Sequence, residues 1–382
     1  MKIPLAWLQL THEKIRLLVA LAGIAFADIL MFMQLGFRDA LFESSVILTK
    51  QFRGDIFLLN PQSDTLVALE TFSERRLYQA LSVEGVATVS PIYLNFAIWK
   101  NPITRDTRAI QVIGFNPVDD IINLPGVRNN LDVIKLPDVV LFDELSRPEY
   151  GAIAELFNQG KTITTEVAER RIKVKGLFAL GASFGADGNI ITSDVNFLRL
   201  FPEREKGLID IGVINLQPEA NLELVLTGLK AELPEDVVVF SREEFITHEK
   251  NYWQNSTAIG FVFTLGTIMG FIVGTVIVYQ ILYTDVADHL PEYATLKAMG
   301  YTDFYLLVVV FQEAIILALV GYLPGFSVAL LLYFMAANAT SLPMAMTIFK
   351  AIMVLILTII MCLVSGAISV RKLNSADPAD IF

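Results

Sequence analysis

The chain holds one cysteine in 382 residues, three histidines, and a charged fraction of only 18%. With Cys362 alone, no disulfide can form within the chain, so its stability has to come from burial. His12, His248 and His289 lie far apart and leave no spacing that a metal site would use. Cations are scarce too: 29 Lys and Arg against 40 Asp and Glu give a net charge of −11, which argues against nucleic acid as a partner. A phosphate loop is also missing. Gly160-Lys161-Thr162 has Glu155 where such a loop needs its first glycine, and no other catalytic motif occurs. The sequence therefore reads as a non-enzyme that binds no cofactor or metal itself. Arg75-Arg76 and Arg170-Arg171 read as solvated faces.

Apolar residues, by contrast, make up 54% of the chain, with a mean hydropathy of +0.55. That is too high for an ordinary soluble domain and too low for helices laid end to end, so a mixed protein is expected. Four long apolar runs supply the membrane part, at about Ile15–Phe37, Ser256–Tyr283, Phe304–Phe334 and Thr347–Val370. The first is too long for a cleaved signal peptide, because the run continues through Ile29-Leu30-Met31-Phe32-Met33. The second, at 1.5 Å per residue, reaches roughly 40 Å and exceeds a hydrocarbon core of roughly 30 Å. It is therefore expected to continue as a stalk, with Phe245 to Gln254 leading into it.

Between the first two runs, residues 40–250 carry 30 Asp and Glu against 21 Lys and Arg, so nine of the eleven excess negative charges sit there. Short β-like runs occur at Asp55–Leu59, Val86–Trp99, Ala109–Phe115, Asp138–Phe142, Arg171–Phe178 and Leu208–Leu216, with helical stretches at Glu74–Leu81 and Asn221–Lys230. The fold class is thus a membrane α-helical protein of four spans, one plus three, with an α+β extracytoplasmic domain. A join between two subdomains is expected near Asn116–Lys135. The boundaries read as an amphipathic helix over 1–14 with Trp7 as anchor, span one 15–38, the domain 39–250, and stalk with span two 251–284. A loop follows at 285–303, then span three 304–335, an external hairpin 336–346, span four 347–370 and a tail 371–382.

Lys2, Lys14 and Arg16 precede span one, and Arg371 and Lys372 follow span four, which places both termini in the cytoplasm of an inner, or plasma, membrane and the large domain outside it. The loop after span two then breaks the positive-inside rule, with Lys297 against Asp285, Asp288, Glu292 and Asp303. Such a loop is expected to serve another purpose, such as docking a protein. Pro291 suits the first turn of a helix, Glu292 its N-terminal end, and Gly300 its C-terminal cap. Tyr293, Leu296 and Met299 would line one side of it. Within the spans, Gly266, Gly270 and Gly274 share one face of span two and allow close approach of another helix, in the same chain or in a dimer. Asp28 and Glu313 are intramembrane acids, and a charge there is costly enough to raise a functional question. The bland alternative is that each lies near an interface, is protonated, or is hydrogen-bonded to a neighbour such as Gln34 or Gln312. Gly321-Tyr322-Leu323-Pro324-Gly325 is expected to kink span three.

Pro291-Glu292-Tyr293-Ala294-Thr295-Leu296-Lys297-Ala298-Met299-Gly300 resembles the coupling-helix signature of MacB/FtsX-like ABC permeases, except that Pro291 stands where an Arg is usual. The one-plus-three layout, the Asp377-Pro378-Ala379-Asp380 tail and the start Leu5-Ala6-Trp7-Leu8-Gln9-Leu10 resemble that family as well. Phe26–Phe37 and His289–Tyr301 look most like DevC-type permeases of cyanobacterial heterocyst-glycolipid exporters. The resemblance implies a MacB-type outer domain and a homodimer working with a separate ABC ATPase subunit that holds ATP and Mg. Pro291, Glu292, Tyr293, Leu296, Lys297, Met299 and Gly300 would form the ATPase-coupling element. It further implies mechanotransmission through spans one and two to an HlyD-like membrane fusion protein and a TolC-like outer-membrane duct, with a glycolipid or other amphiphile as substrate. An FtsX-like regulator that exports nothing, or a receptor without an ATPase, are the alternatives.

Overall fold

The computed structural model describes Trp7, Leu10, residues 12–340 and residues 342–374. The expected amphipathic start over 1–14 falls largely outside these residues, and the Asp377–Asp380 tail wholly so. Leu41–Thr257 forms one compact unit, and the chain before and after it forms the other. Among the described residues four helices are long and apolar enough to cross a membrane. Span one is Lys14–Ser45, span two Ala258–Asp288, span three Asp303–Thr340 and span four Ile348–Asn374. Span three stays helical through Pro324.

One expectation needs correcting. Span two does not run on from a stalk. The helix before it ends at Asn251, a π-helical turn occupies Tyr252–Ser256, and Thr257 is extended at φ −113° and ψ 156°. The β-region torsions of Thr257 break the helix there. The helix that continues past its apolar stretch is span one, which runs to Ser45 and so exceeds the expected end at Phe37.

In the polar unit the helices are α1 (Ile47–Gln51), α2 (Arg75–Ala80), α3 (Pro125–Arg128), α4 (Ile153–Asn158), α5 (Asp194–Leu200), α6 (Leu222–Glu232) and α7 (Arg242–Asn251). The strands are β1 (Ile56–Leu59), β2 (Phe72–Ser73), β3 (Val86–Lys100), β4 (Thr107–Phe115), β5 (Val139–Asp143), β6 (Ile163–Val167), β7 (Arg170–Phe178), β8 (Asn189–Ser193), β9 (Leu208–Ile209), β10 (Ile211–Leu216) and β11 (Val238–Ser241). The run Leu208–Leu216, read as one strand, is two. It is split at Asp210, whose buried carboxylate turns inward to Arg204, 2.8 Å away, and to the N–H of Leu94. Residues 116–135, the expected join, carry α3 within the same compact unit.

Nine strands form one sheet in the order β11-β1-β10-β3-β4-β8-β5-β7-β6, and β6 returns to β3 through the pair Trp99 and Val167. The pairings from β3 round to β6 therefore close into a ring, with β10, β1 and β11 as an open extension. Residues alternate across a strand, so β7 sends Ile172, Val174 and Phe178 inward and Lys173 and Lys175 outward. β1, β5 and β8 are buried along their whole length and read as unbroken apolar or small-polar runs. Trp99, Phe142, Tyr150 and Phe197 centre one core cluster; Phe52, Phe57, Phe115 and Phe245 centre another. The polar tips of the large residues are satisfied. Trp99 Nε1 donates to the Tyr150 carbonyl at 3.1 Å, and the Tyr150 hydroxyl donates to the Ala109 carbonyl at 2.5 Å.

Candidate functional site

The glycine face of span two is occupied from within the chain. A Cβ at Gly266 would lie 2.5 Å from Gln34 Cδ, one at Gly270 3.2 Å from Met31 Cγ, and one at Gly274 2.7 Å from Ala27 Cβ. Span three approaches the same helix in the same way: a Cβ at Gly325 would lie 2.9 Å from Asp28 Cβ, and one at Gly321 2.8 Å from an Ile24 methyl. Small residues on two helices thus let span one pack backbone-close on both, the mode by which helices associate in lipid. Span four adds hydrogen bonds, with the Ser365 hydroxyl donating to the Thr275 carbonyl at 2.8 Å.

Asp28 is fully buried, and its partner is neither Gln34 nor Gln312 but Thr358 of span four, whose hydroxyl donates to Oδ1 at 2.5 Å. Glu313 lies elsewhere in the unit. It is fully buried and faces Asp285 of span two, carboxyl to carboxyl. Neither of its oxygens receives a hydrogen bond from an N–H or O–H of the described residues. Arg16 of span one reaches the other side of this group. It pairs with Asp285 at 3.5 Å, with Glu13 at 3.1 Å, and closely with Asp288. His289 Nδ1 sits 3.0 Å from the Asp285 carbonyl. Two of the four acids that break the positive-inside rule, Asp285 and Asp288, are therefore paired internally with Arg16. Among the described residues no group of three or more His, Cys, Asp and Glu is placed to hold a metal ion.

Immediately after this polar joint comes the short helix Leu290–Ala298. Pro291 occupies its first turn, where a missing N–H costs nothing, and Glu292 sits at the positive end of the helix dipole. Gly300 adopts φ +94°. Its N–H donates to the Lys297 carbonyl at 2.9 Å and that of Tyr301 to the Leu296 carbonyl at 3.1 Å, a Schellman cap that fixes the end of the helix. The two sides differ. Tyr293 and Ala294 are buried, Tyr293 within a cluster of Val286, Val310 and Val370. Leu296 packs on the rim of that cluster and Lys297 is half-buried. Pro291, Glu292, Thr295, Met299 and Gly300 are exposed. Tyr293, expected on the binding face, instead anchors the helix to spans two, three and four. Its burial follows from spacing: Tyr293 sits seven residues from Val286 across a helical break, on the side turned to the bundle.

Residues 264–378 match the family profile described as FtsX-like permease C-terminal. This segment is similar to that permease domain. It covers span two from residue 264 onward, the short helix, and spans three and four. No curated protein sequence matches the chain. Among solved structures, the periplasmic region of MacB from Actinobacillus actinomycetemcomitans is similar at 13% identity, over 54% of this chain and 95% of that one, with a TM-score of 0.37. The extracellular domain of the noncanonical ABC-type transporter YknZ from Gram-positive bacteria matches at 14% identity, over 49% and 99%, with a TM-score of 0.33. A domain of a putative permease protein from Porphyromonas gingivalis matches at 14%, over 48% and 85%, with a TM-score of 0.29.

Within the matched segment, sequence reading missed the aromatic group that follows the short helix. Tyr301, Phe304 and Tyr305 are all exposed, and the rings of Tyr301 and Tyr305 lie 4.8 Å apart. With Met299, 64% exposed, they extend the apolar surface beyond Gly300. The signal was available in the run Gly300-Tyr301-Thr302-Asp303-Phe304-Tyr305, where aromatics cluster at the mouth of a span. Arg16 was read only as an orientation charge, because nothing local shows that it meets residues 269 positions away.

Proposed function

We propose that this chain is the permease subunit of an ABC exporter that passes the motion of a separate, ATP- and Mg-binding ATPase subunit across the membrane. The observation that carries the reading is the short helix itself: started by Pro291, capped at its C-terminal end, anchored by Tyr293, and exposed at Glu292, Thr295 and Met299, inside the segment that matches the FtsX-like permease profile. An element of this kind transmits force because it cannot rotate independently of the spans it joins. Glu292, Thr295, Met299 and the Tyr301–Tyr305 pair form the docking surface, with Leu296 and Lys297 at its edge and Pro291 and Gly300 setting its ends.

In this reading both termini are cytoplasmic in the inner membrane, and the subunit works as a homodimer. Arg16, held to the end of span two, ties span one to the base of the short helix, so both levers move with the ATPase. The polar unit then acts on an HlyD-like membrane fusion protein and a TolC-like duct, and the substrate is a glycolipid or related amphiphile. The DevC-like residues of Phe26–Phe37 and His289–Tyr301 support that choice.

The test is Glu292→Lys in the reconstituted complex of permease and ATPase. A like-signed or misplaced charge at a desolvated contact costs several kcal/mol. Transport-coupled ATPase activity should fall by about 100-fold or more, with membrane insertion and yield unchanged. Wild-type coupling in this variant would show that the helix is not the coupling element. Stimulated hydrolysis without any movement of amphiphile would favour a regulator of a periplasmic partner over an exporter.

A further inference from the structure

The open end of the nine-stranded sheet carries a second binding surface. β11 is covered by β1 on one side and, among the described strands, by none on the other. The far end of the sheet has no comparable edge, because β6 closes back on β3. Register fixes which backbone groups of β11 face outward. The Arg242 N–H donates to the Asp55 carbonyl at 3.2 Å, and hydrogen-bonded pairs alternate along an antiparallel ladder. Phe240 and Val238 therefore turn their backbone groups to β1, while Val237, Val239 and Ser241 turn theirs away. Glu244 Oε2 takes the outward N–H of Ser241 at 2.7 Å, and the Pro234 carbonyl takes that of Val237 at 3.3 Å. The Ser241 carbonyl heads α7 as its N-cap and takes the first bond of that helix, so among the described residues one outward donor remains, the N–H of Val239, with two outward acceptors, the carbonyls of Val239 and Val237.

Natural sheet edges are usually blunted by a covering element, a proline or an inward charge. Here the edge opens into a groove of about 790 Å³ that lies between the end of α6 and α7. Val238, Phe240 and Leu233 supply apolar wall, and α7, ten residues or about 15 Å long, matches four to five residues of an extended strand. The charge of the lining is acidic. Lys230 sits 3.8 Å from Glu244, which leaves Glu235 and Glu243 without a cation partner among the described residues.

We infer that this edge accepts an extended, basic segment of a partner protein as an added β-strand, through the main chain of Val239 and Val237 and the carboxylates of Glu235 and Glu243. Strand addition takes its affinity from main-chain hydrogen bonds and its selectivity from the alternate side chains. An incoming strand would place one face of its residues on Val238 and Phe240 and leave the charged ones to the acidic rim. The inference does not depend on the transport reading, since it concerns the polar unit alone.

The experiment uses the full-length protein in lipid nanodiscs and a fluorescent peptide of alternating lysine and valine, six residues long, followed by anisotropy. The expected result is saturable binding that weakens by about tenfold when alternate peptide amides are N-methylated, the loss of roughly one or two hydrogen bonds. That control needs no change to the protein. Glu235→Lys, in a loop outside the ladder, should weaken binding by about three- to tenfold at low salt. Absence of binding, or equal binding of the N-methylated peptide, overturns the inference. So does disulfide trapping of Val238→Cys between two copies of the chain, which would make the edge a self-association surface.

Discussion

Asp143 in the polar unit is met by the N–H groups of Leu145, Leu180 and Gly181 and by the side-chain amide of Asn189, whereas Glu313 in the membrane unit, just as deeply buried, receives no such donor. The same contrast separates Asp210, which pairs with Arg204 and the Leu94 N–H, from Asp28, whose hydrogen-bond donor among the described residues is Thr358. Burial still pushes the carboxyls of Asp143 and Asp210 up from their ordinary values, but the donors around them work against that shift. The polar unit therefore uses its buried acids as ties: each one gathers strand ends and loops that have no other reason to meet. In the membrane unit Arg16 supplies charge only to the Asp285 side of the joint, and Glu313 meets Asp285 carboxyl to carboxyl. Removing a tie leaves several buried N–H groups without an acceptor; removing Glu313 leaves none among the described residues.

The contrast can be broken in three places. The largest effect is expected for Asp143→Ala, which leaves buried N–H groups without acceptors and should lower the stability of the polar unit by on the order of 4 kcal/mol. Chemical denaturation read by tryptophan fluorescence measures it, and a loss below about 1 kcal/mol would mean that the cage contributes little. Next comes Gly270→Leu. Overfilling a packed contact costs about 1–3 kcal/mol, so the variant should unfold at lower temperature in detergent. Gly270→Ala should be far milder, because a Cβ there meets Met31 Cγ at 3.2 Å. Unchanged unfolding of the leucine variant would mean that span one does not approach this face closely. The smallest effect is expected for Glu313→Gln, less than about 1 kcal/mol, since the amide keeps a donor facing Asp285 and changes little in volume. If Glu313→Gln unfolds as readily as Asp143→Ala, the two acids are equivalent and the contrast fails.

Much of this organisation was legible in order along the chain. The number of spans, the α+β character of the polar unit and the short helix with Pro291 at one end and Gly300 at the other follow from runs and caps a few residues long. Strands β6, β8 and β11 escaped because they are four or five residues each and two carry polar residues, Thr164, Thr165 and Glu166 in β6 and Asn189, Thr192 and Ser193 in β8. The expected stalk failed for a similar reason. Phe245–Gln254 reads as helix and is helical, but the extended residue that ends it, Thr257, is a single β-branched position that composition does not mark. The face of Tyr293 was misplaced because a nine-residue helix has too few apolar positions to say which side meets a bundle.

By itself the sequence determined the one-plus-three arrangement, the acidic polar domain between the first two spans and the site of the short helix, because each depends on local hydropathy or on backbone chemistry at its own position. The tertiary structure alone decided three things. Arg16 binds the acids that close span two, β6 shuts the strand ring against Trp99, and Tyr293 points inward. Each joins segments far apart in the chain, and which distant surfaces meet is settled by burial and charge pairing in the folded state.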